Sequence, residues 1–344
     1  MKELVSSNDV VFLSFTQDLL KQEGIEFVLL DKNMSLMEGS IGILPRRLMV
    51  SEECYEEAQA LMKSSLAEIE IATGNENSAQ TQDQPEFAED VTDDEFLGGA
   101  LKIYQSKSGF RSGIDALLLA ASVPREGKLH VLEAGAGAGV VSLTVAKRNS
   151  QAMVEGIEIE EFNSELAIEN VARNDLSSRV QMHLGDLCDP ITKLEILGLQ
   201  RNSFDYVIAN PPFYTEGETR SSSNPLRLRA RRALEGGLEE WIRFMTAMAA
   251  PKGVFSMIHR AERLDDLFKH LQGRFGALRV LPIYPKENSP ANRVLVQGVK
   301  GSRAPLKMLP GLVLHGEDGA YVSEVKAICE RIEDVSGPLA GLFE

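Results

Sequence analysis

Val131-Leu132-Glu133-Ala134-Gly135-Ala136-Gly137-Ala138-Gly139-Val140-Val141-Ser142-Leu143 is an apolar run that breaks into alternating glycines and then resumes. Its first part has the length and character of a buried strand, and its last part enters an apolar helix. Between them the glycines let the backbone turn tightly and approach a ligand closely. The spacing excludes two nucleotide sites. A dinucleotide fingerprint needs Gly-x-Gly-x-x-Gly/Ala, but three beyond Gly137 is Val140 and three beyond Gly139 is Ser142. A phosphate loop needs Gly-Lys-Ser/Thr, which the chain lacks.

What remains is Glu-x-Gly-x-Gly-x-Gly, starting at Glu133, which resembles motif I of the class I methyltransferases. That resemblance implies S-adenosylmethionine as cofactor, with Gly135, Gly137 and Gly139 in the turn that receives it. The methionine carboxylate of such a cofactor suits amides at a helix N-terminus. Its ribose hydroxyls suit a carboxylate at the end of the next strand. Glu158, 25 residues after Glu133, fits that role, and Glu160 and Glu161 compete for it. A third strand ends in Gly185-Asp186, where the Asp186 carboxylate can accept from the adenine amino group. Any one of these acids alone reads equally well as a helix cap. Together, at consecutive strand ends, they read as a site.

Around the glycine turn, strand-like and helix-like segments alternate, which predicts an open, mostly parallel α/β sheet with helices on both faces. Seven strands are expected, at 129–133, 153–159, 180–184, 204–209, 254–259, 278–283 and 293–299. Helices are expected at 161–174, at 238–250 around Trp241, and at 114–121. The last of these follows Phe110 and Arg111. The Arg111 guanidinium suits either the methionine carboxylate or an acid of the glycine turn, and Asp115 suits a helix cap.

The fourth strand ends in Asn210-Pro211-Pro212-Phe213. The chemistry of a planar exocyclic amine explains such a tetrad. Its lone pair is delocalised into a ring or carbonyl, so it is a poor nucleophile. A site helps by accepting both N–H protons, on the Asn210 side-chain carbonyl and the Pro211 backbone carbonyl, which aligns the nitrogen and stabilises developing charge. Pro211 and Pro212 stiffen the turn. Phe213 can stack on a flat substrate, a contact worth roughly 1–3 kcal/mol per base, and a nucleobase must leave its own stack to arrive there.

Downstream, residues 220–232 hold five arginines, Arg220, Arg227, Arg229, Arg231 and Arg232. The arginine fork binds phosphate bidentately, so Arg227, Arg229, Arg231 and Arg232 are candidate RNA contacts. A solvated loop balanced by nearby acids is the competing reading.

The net charge of −15 over 344 residues looks wrong for a nucleic-acid binder, but it is uneven. Residues 1–90 hold 6 basic and 18 acidic side chains, and the remainder 30 and 33, so the larger part is near neutral. Residues 73–95 are acidic and poor in large apolar side chains, which reads as a flexible linker. It separates a small α+β unit, 1–72, from an α/β domain, 96–344. The first unit carries strand patterns at 3–5, 25–30 and 48–50, helices after Asp9 and after Ser51, and a segment, 33–40, that reads as a strand connection or a ligand loop. Over 1–68 it resembles a small domain of unknown function that carries a signal-transducing label. Three scattered cysteines predict no disulfide framework and no metal site. No bilayer-length apolar run and no signal sequence are present, so a cytoplasmic location is expected.

Taken with the tetrad and the 110–121 segment, residues 93–335 resemble the bacterial tRNA adenine-N6 methyltransferases that act beside the anticodon of a valine tRNA. Matching stretches include Phe96-Leu97-Gly98-Gly99, His259-Arg260-Ala261-Glu262-Arg263-Leu264 and Lys300-Gly301-Ser302-Arg303-Ala304-Pro305. The resemblance implies cofactor roles for Phe110, Arg111, Glu133, Gly135, Gly137, Glu158, Asp186 and Asn210, and tRNA as partner. Guanine-N2 rRNA enzymes, which often carry Phe at the position of Phe213, and protein-glutamine enzymes present the same planar amine and remain alternatives. A cofactor-binding regulatory module is the non-enzymatic alternative.

Overall fold

The computed structural model describes residues 2–7, 16, 20–21, 25, 27–30, 46–52, 54–55, 58, 91–107, 111–212, 237–330 and 339. They fall into two compact units, Met1–Ala88 and Glu89–Glu344.

In the first unit β1 (Lys2–Ser7), β2 (Phe27–Leu30) and β3 (Arg46–Val50) form an antiparallel sheet ordered β1-β3-β2. Period-two alternation on β3 exposes Arg47 and turns Leu48 and Val50 inward onto Leu20, Ile25 and Ala58. Ser51 Oγ accepts the Cys54 amide at 3.2 Å, as a helix N-cap does. Most of the two helices expected here, and all of 33–40, lie outside the described residues.

The second unit opens with a hairpin, β4 (Val91–Phe96) and β5 (Leu101–Ser106). This corrects the linker boundary: residues 91–95 are strand, and only 73–90 remain, outside the described residues. The acids that made the segment look solvated are paired with distant arginines. Asp93 meets Arg173 and Asp94 meets Arg111, while Val91 is buried. Composition over a window cannot register such long-range pairing.

The main sheet follows. Its chain order is α1 (Ile114–Ala121), β6 (His130–Ala134), α2 (Val140–Arg148), β7 (Met153–Glu158), α3 (Glu161–Arg173), β8 (Val180–Leu184), α4 (Ile191–Ile196), β9 (Phe204–Ala209), α5 (Gly237–Met248), β10 (Ala249–Arg260), α6 (Leu264–Leu271), β11 (Phe275–Lys286), β12 (Arg293–Lys300), β13 (Lys307–Met308), β14 (Leu312–His315) and α7 (Ser323–Glu330). The spatial order is β13-β11-β12-β10-β9-β6-β7-β8, with β14 also pairing β11. Strands β6 to β10 are mutually parallel, and β12 runs antiparallel to β10 and β11. All seven expected strands are present. The sheet has nine, because β13 and β14 add an edge to β11. Those two are short and flank Pro310-Gly311, too brief for period-two alternation to register.

Both faces are covered. On β9, Ile208 joins one core with α1 and α2, while Val207 and Ala209 join the other with α5. Helix α1 has seven of eight residues buried, the pattern of a helix apolar all round. Replacing its fully buried Leu118 by Ala is expected to cost about 2–5 kcal/mol.

One topological fact places the site. From β6 the chain winds outward through β7 to β8, then crosses back and lays β9 on the other side of β6. The strand order reverses between β6 and β9, and a crevice opens at the carboxyl ends of strands at such a point. Ala134 pairs with Ala209, so Gly135 and Asn210 leave neighbouring strands side by side.

Candidate active site

The three glycines after β6 all have positive φ, at +66° for Gly135, +55° for Gly137 and +84° for Gly139. Their missing side chains serve different neighbours. A β-carbon on Gly135 would collide with the Trp241 ring of α5. One on Gly139, at the start of α2, would press on Met182 Cε at 3.1 Å and Ala167 Cβ at 3.4 Å. One on Gly137 would meet no atom of the described residues within 4 Å. Of the three, Gly137 is the one that leaves space for close ligand approach. At Gly135 and Gly139 the smallness is consumed by the protein's own packing.

Glu133 is sealed beneath this turn. It is 1% exposed, and its Oε2 accepts from both the amide (2.9 Å) and the hydroxyl (2.6 Å) of Ser142 on α2. Burial raises its pKa to about 8 against those hydrogen bonds, with the nearby Glu158 charge adding to the rise. A direct cofactor contact, implied by the resemblance, does not suit a carboxyl so enclosed. What Glu133 does is anchor the first turn of α2 to β6.

Glu158 ends β7 and faces the same turn. Its Oε2 accepts the Gly137 amide at 2.8 Å and its Oε1 accepts the Glu160 amide at 2.9 Å. Burial pushes its pKa up, opposed by these amides. Two carboxylate oxygens offer about four acceptor positions, so the amides of Gly137, Ile159 and Glu160 do not exhaust them. This geometry favours Glu158 over Glu160 and Glu161 for a ligand diol, since Glu160 is the helix N-cap residue and Glu161 the first residue of α3. Ile159, directly after Glu158, is 41% exposed, an apolar surface beside the acid that sequence reasoning passed over because it continues a strand pattern.

Beyond β8, Asp186 Oδ1 accepts the Cys188 amide at 2.8 Å. At the end of β9, Asn210 is 7% exposed, and its Oδ1 is buried with no hydrogen-bond partner among the described residues. A buried orphan acceptor costs about 1–3 kcal/mol, and such atoms concentrate where a ligand is to supply the donor. Pro211 is buried beside it.

Arg111 does not pair with an acid of the glycine turn, one of its two expected partners. It meets Asp94 of β4 instead, with its Nη2 2.9 Å from Oδ1 and 2.6 Å from Oδ2. Asp94 also accepts from Gln105 Nε2 at 2.8 Å, and Gln105 Oε1 holds the Ser112 amide at 2.8 Å. The network fastens the turn before α1 to the hairpin. Asp115 is no cap either, because Gly113 occupies that position and Asp115 pairs with Arg293 of β12 at 3.1 Å. Phe110, Phe213, Arg227, Arg229, Arg231 and Arg232 lie outside the described residues.

Trp241 and Asn170 were not singled out for the site. Asn170, fully buried on α3, accepts the Tyr104 amide at 2.7 Å and donates to the carbonyls of Tyr104 (2.9 Å) and Ala138 (3.0 Å), tying the hairpin to the glycine turn. An Asn on the inner face of an amphipathic helix was the available signal. A groove of about 600 Å³ lined by Phe268, Lys269, Leu278 and Arg303 lies at the other end of the sheet, remote from these groups.

Comparison with known proteins places the chain in a family. Residues 106–264 match the family model described as "Methyltransferase small domain". An enzyme of Porphyromonas gingivalis strain W83 named tRNA1(Val) (adenine(37)-N6)-methyltransferase is 32% identical over 195 residues, 52% of this chain and 72% of that protein. The chain belongs to this methyltransferase family. It is an S-adenosylmethionine-dependent methyltransferase with the class I α/β fold. A like-named enzyme of Bacteroides fragilis strain YCH46 is 25% identical, covering 64% of this chain and 91% of that one. The crystal structure of a predicted O-methyltransferase from Agrobacterium tumefaciens superposes with a TM-score of 0.52 at 28% identity, over 62% of this chain and 94% of its own. Residues 1–65 of the methyltransferase match a family described as "Putative prokaryotic signal transducing protein". No helix among its described residues is long and apolar enough to cross a membrane.

Proposed function

We propose that the enzyme methylates adenine N6 in a tRNA, using Asn210 and Pro211 to hold the exocyclic amine. The observation that carries this reading is the buried Oδ1 of Asn210, without a hydrogen-bond partner among the described residues, one residue past Ala209 and beside the glycine turn. S-adenosylmethionine fits the residues at hand: Gly137 leaves open space above its backbone, Glu158 retains acceptor positions for a ribose diol, and the Asp186 carboxylate stands at the end of the third strand. Ile159 supplies an apolar wall for the adenine ring. When bound, the cofactor supplies a methyl carbon on positive sulfur, which departs as a neutral thioether.

The protein's part is positional and electrostatic. Asn210 Oδ1 accepts one N–H of the amine and the Pro211 carbonyl the other, so the nitrogen is turned toward the cofactor and the charge growing on it is spread onto two oxygens. The surplus proton then passes to solvent, and no side chain needs to act as a strong base. The names of the relatives, tRNA (adenine-N6) methyltransferases, support a tRNA adenine as acceptor. The arginines at 227, 229, 231 and 232 supply phosphate contacts in this reading.

Incubating the full chain with labelled S-adenosylmethionine and RNA from a strain lacking its gene tests the proposal. Labelled N6-methyladenosine in tRNA is expected, with an Asn210→Ala loss of about 100- to 1000-fold in turnover. Label appearing only as N2-methylguanosine, or only in protein, overturns the substrate assignment.

A further inference from the structure

Cys188 donates to two different carboxylates. Its amide holds Asp186 Oδ1 at 2.8 Å, and its thiol donates to Glu240 Oε2 at 2.8 Å. Glu240 sits in the first turn of α5, next to Trp241, whose ring occupies the space left by Gly135. One helical turn therefore grips two of the strand-end loops that face the crevice. It reaches the loop after β6 through an aromatic ring and the loop after β8 through a thiol–carboxylate hydrogen bond.

We propose that Glu240 is a positioning residue for adenine selectivity, acting through Cys188 to fix the Asp186 carboxylate. The relay has a direction. Glu240 fixes the Cys188 side chain, Cys188 places its amide against one oxygen of Asp186, and the remaining oxygen is left for the cofactor's adenine amino group. The thiol is the donor in this relay: burial and the flanking Glu240 and Asp186 carboxylates push its pKa far above the ordinary range, so it stays protonated. Glu240 and Cys188 are 52 residues apart, and nothing in their local sequence marks them as partners.

The inference rests on the reading that Asp186 accepts from the adenine amine, and one experiment separates the two. Binding of S-adenosylhomocysteine and S-inosylhomocysteine is measured calorimetrically on the full chain. The second ligand lacks the amino group and carries a carbonyl instead. Wild type is expected to favour the adenosyl ligand. Asp186→Ala is expected to abolish the preference, and its persistence would refute the Asp186 reading itself. If Asp186→Ala behaves as expected, Glu240→Ala and Cys188→Ala should each reduce the preference about three- to tenfold, the range one hydrogen bond commands. Glu240→Gln and Cys188→Ser, which keep an acceptor and a donor, should restore most of it. Equal weakening of both ligands in the alanine variants, with the preference intact, overturns the relay and leaves a structural role only. Thermal unfolding of each variant confirms that a folded protein is compared.

Discussion

Glu158 Oε2 accepts the Gly137 amide at 2.8 Å, so the acid that ends one strand and the glycine of the turn that opens onto free space form a single unit. An acid and an amide 21 residues apart are joined because β6 and β7 are parallel neighbours whose carboxyl ends coincide. Removing the acid leaves the Gly137 amide without this acceptor and takes away the expected ribose partner together. Glu158→Ala should weaken S-adenosylhomocysteine binding at least tenfold by calorimetry. Burial raises the Glu158 pKa, so the charged form is lost on acidification sooner than for an ordinary carboxylate. Affinity should fall as pH drops through that raised value and be flat above it; the pH dependence should vanish in Glu158→Ala.

Gly135 and Gly137 should separate cleanly on substitution. Gly135→Ala drives a methyl into Trp241, an overpacking cost of about 1–3 kcal/mol on top of the positive-φ strain. Denaturant unfolding should show it, and Trp241→Leu in the same chain should recover part of the loss. Gly137→Ala carries only the strain, about 1–2 kcal/mol, yet fills the open space. Its loss should show in cofactor affinity more than in stability.

Glu133 makes stability pH-dependent. Its folded pKa, about 8, stands above its ordinary 4.5, so the folded protein holds a proton that the unfolded chain releases. Between those values stability falls as pH rises, and above pH 8 the cost is constant. Glu133→Gln, which keeps an acceptor for Ser142 without a charge, should unfold at higher temperature than wild type at pH 8. The advantage, on the order of a few kcal/mol, should shrink toward pH 5.

Arg111 and Asp94 should behave as one structural pair. Their side chains are 22% and 25% exposed, so each single alanine substitution is expected to cost about 1–2 kcal/mol. The double variant should cost little more than either single. Strict additivity would show that the two act independently.

Much of the architecture was legible because it is local. The Ile114–Ala121 helix, the seven strands and the Glu161–Arg173 helix follow from apolar periodicity that any window of the chain carries. Asn210 and Glu158 were legible because a strand end followed by a stiff or acidic residue has few roles. Phe213 and the arginines of 227–232 were equally prominent in the sequence, but they lie outside the described residues.

The linker shows where composition fails. Asp93 and Asp94 read by composition as solvated charge, whereas Arg173 and Arg111 stand opposite them. Glu133 looked like a ligand contact, but lies enclosed against Ser142. The sequence alone determined the order of strands and helices and the chemical groups at the strand ends, since those depend on short-range periodicity and side-chain type. Which groups meet was decided only by tertiary structure. Trp241 against Gly135, Glu240 against Cys188 and Asn170 against Ala138 each join positions 32 or more residues apart. The Asn170 contact exists because β6 and β7 are parallel neighbours, and the two contacts from α5 because strand order reverses between β6 and β9; no local pattern encodes where a sheet turns back on itself.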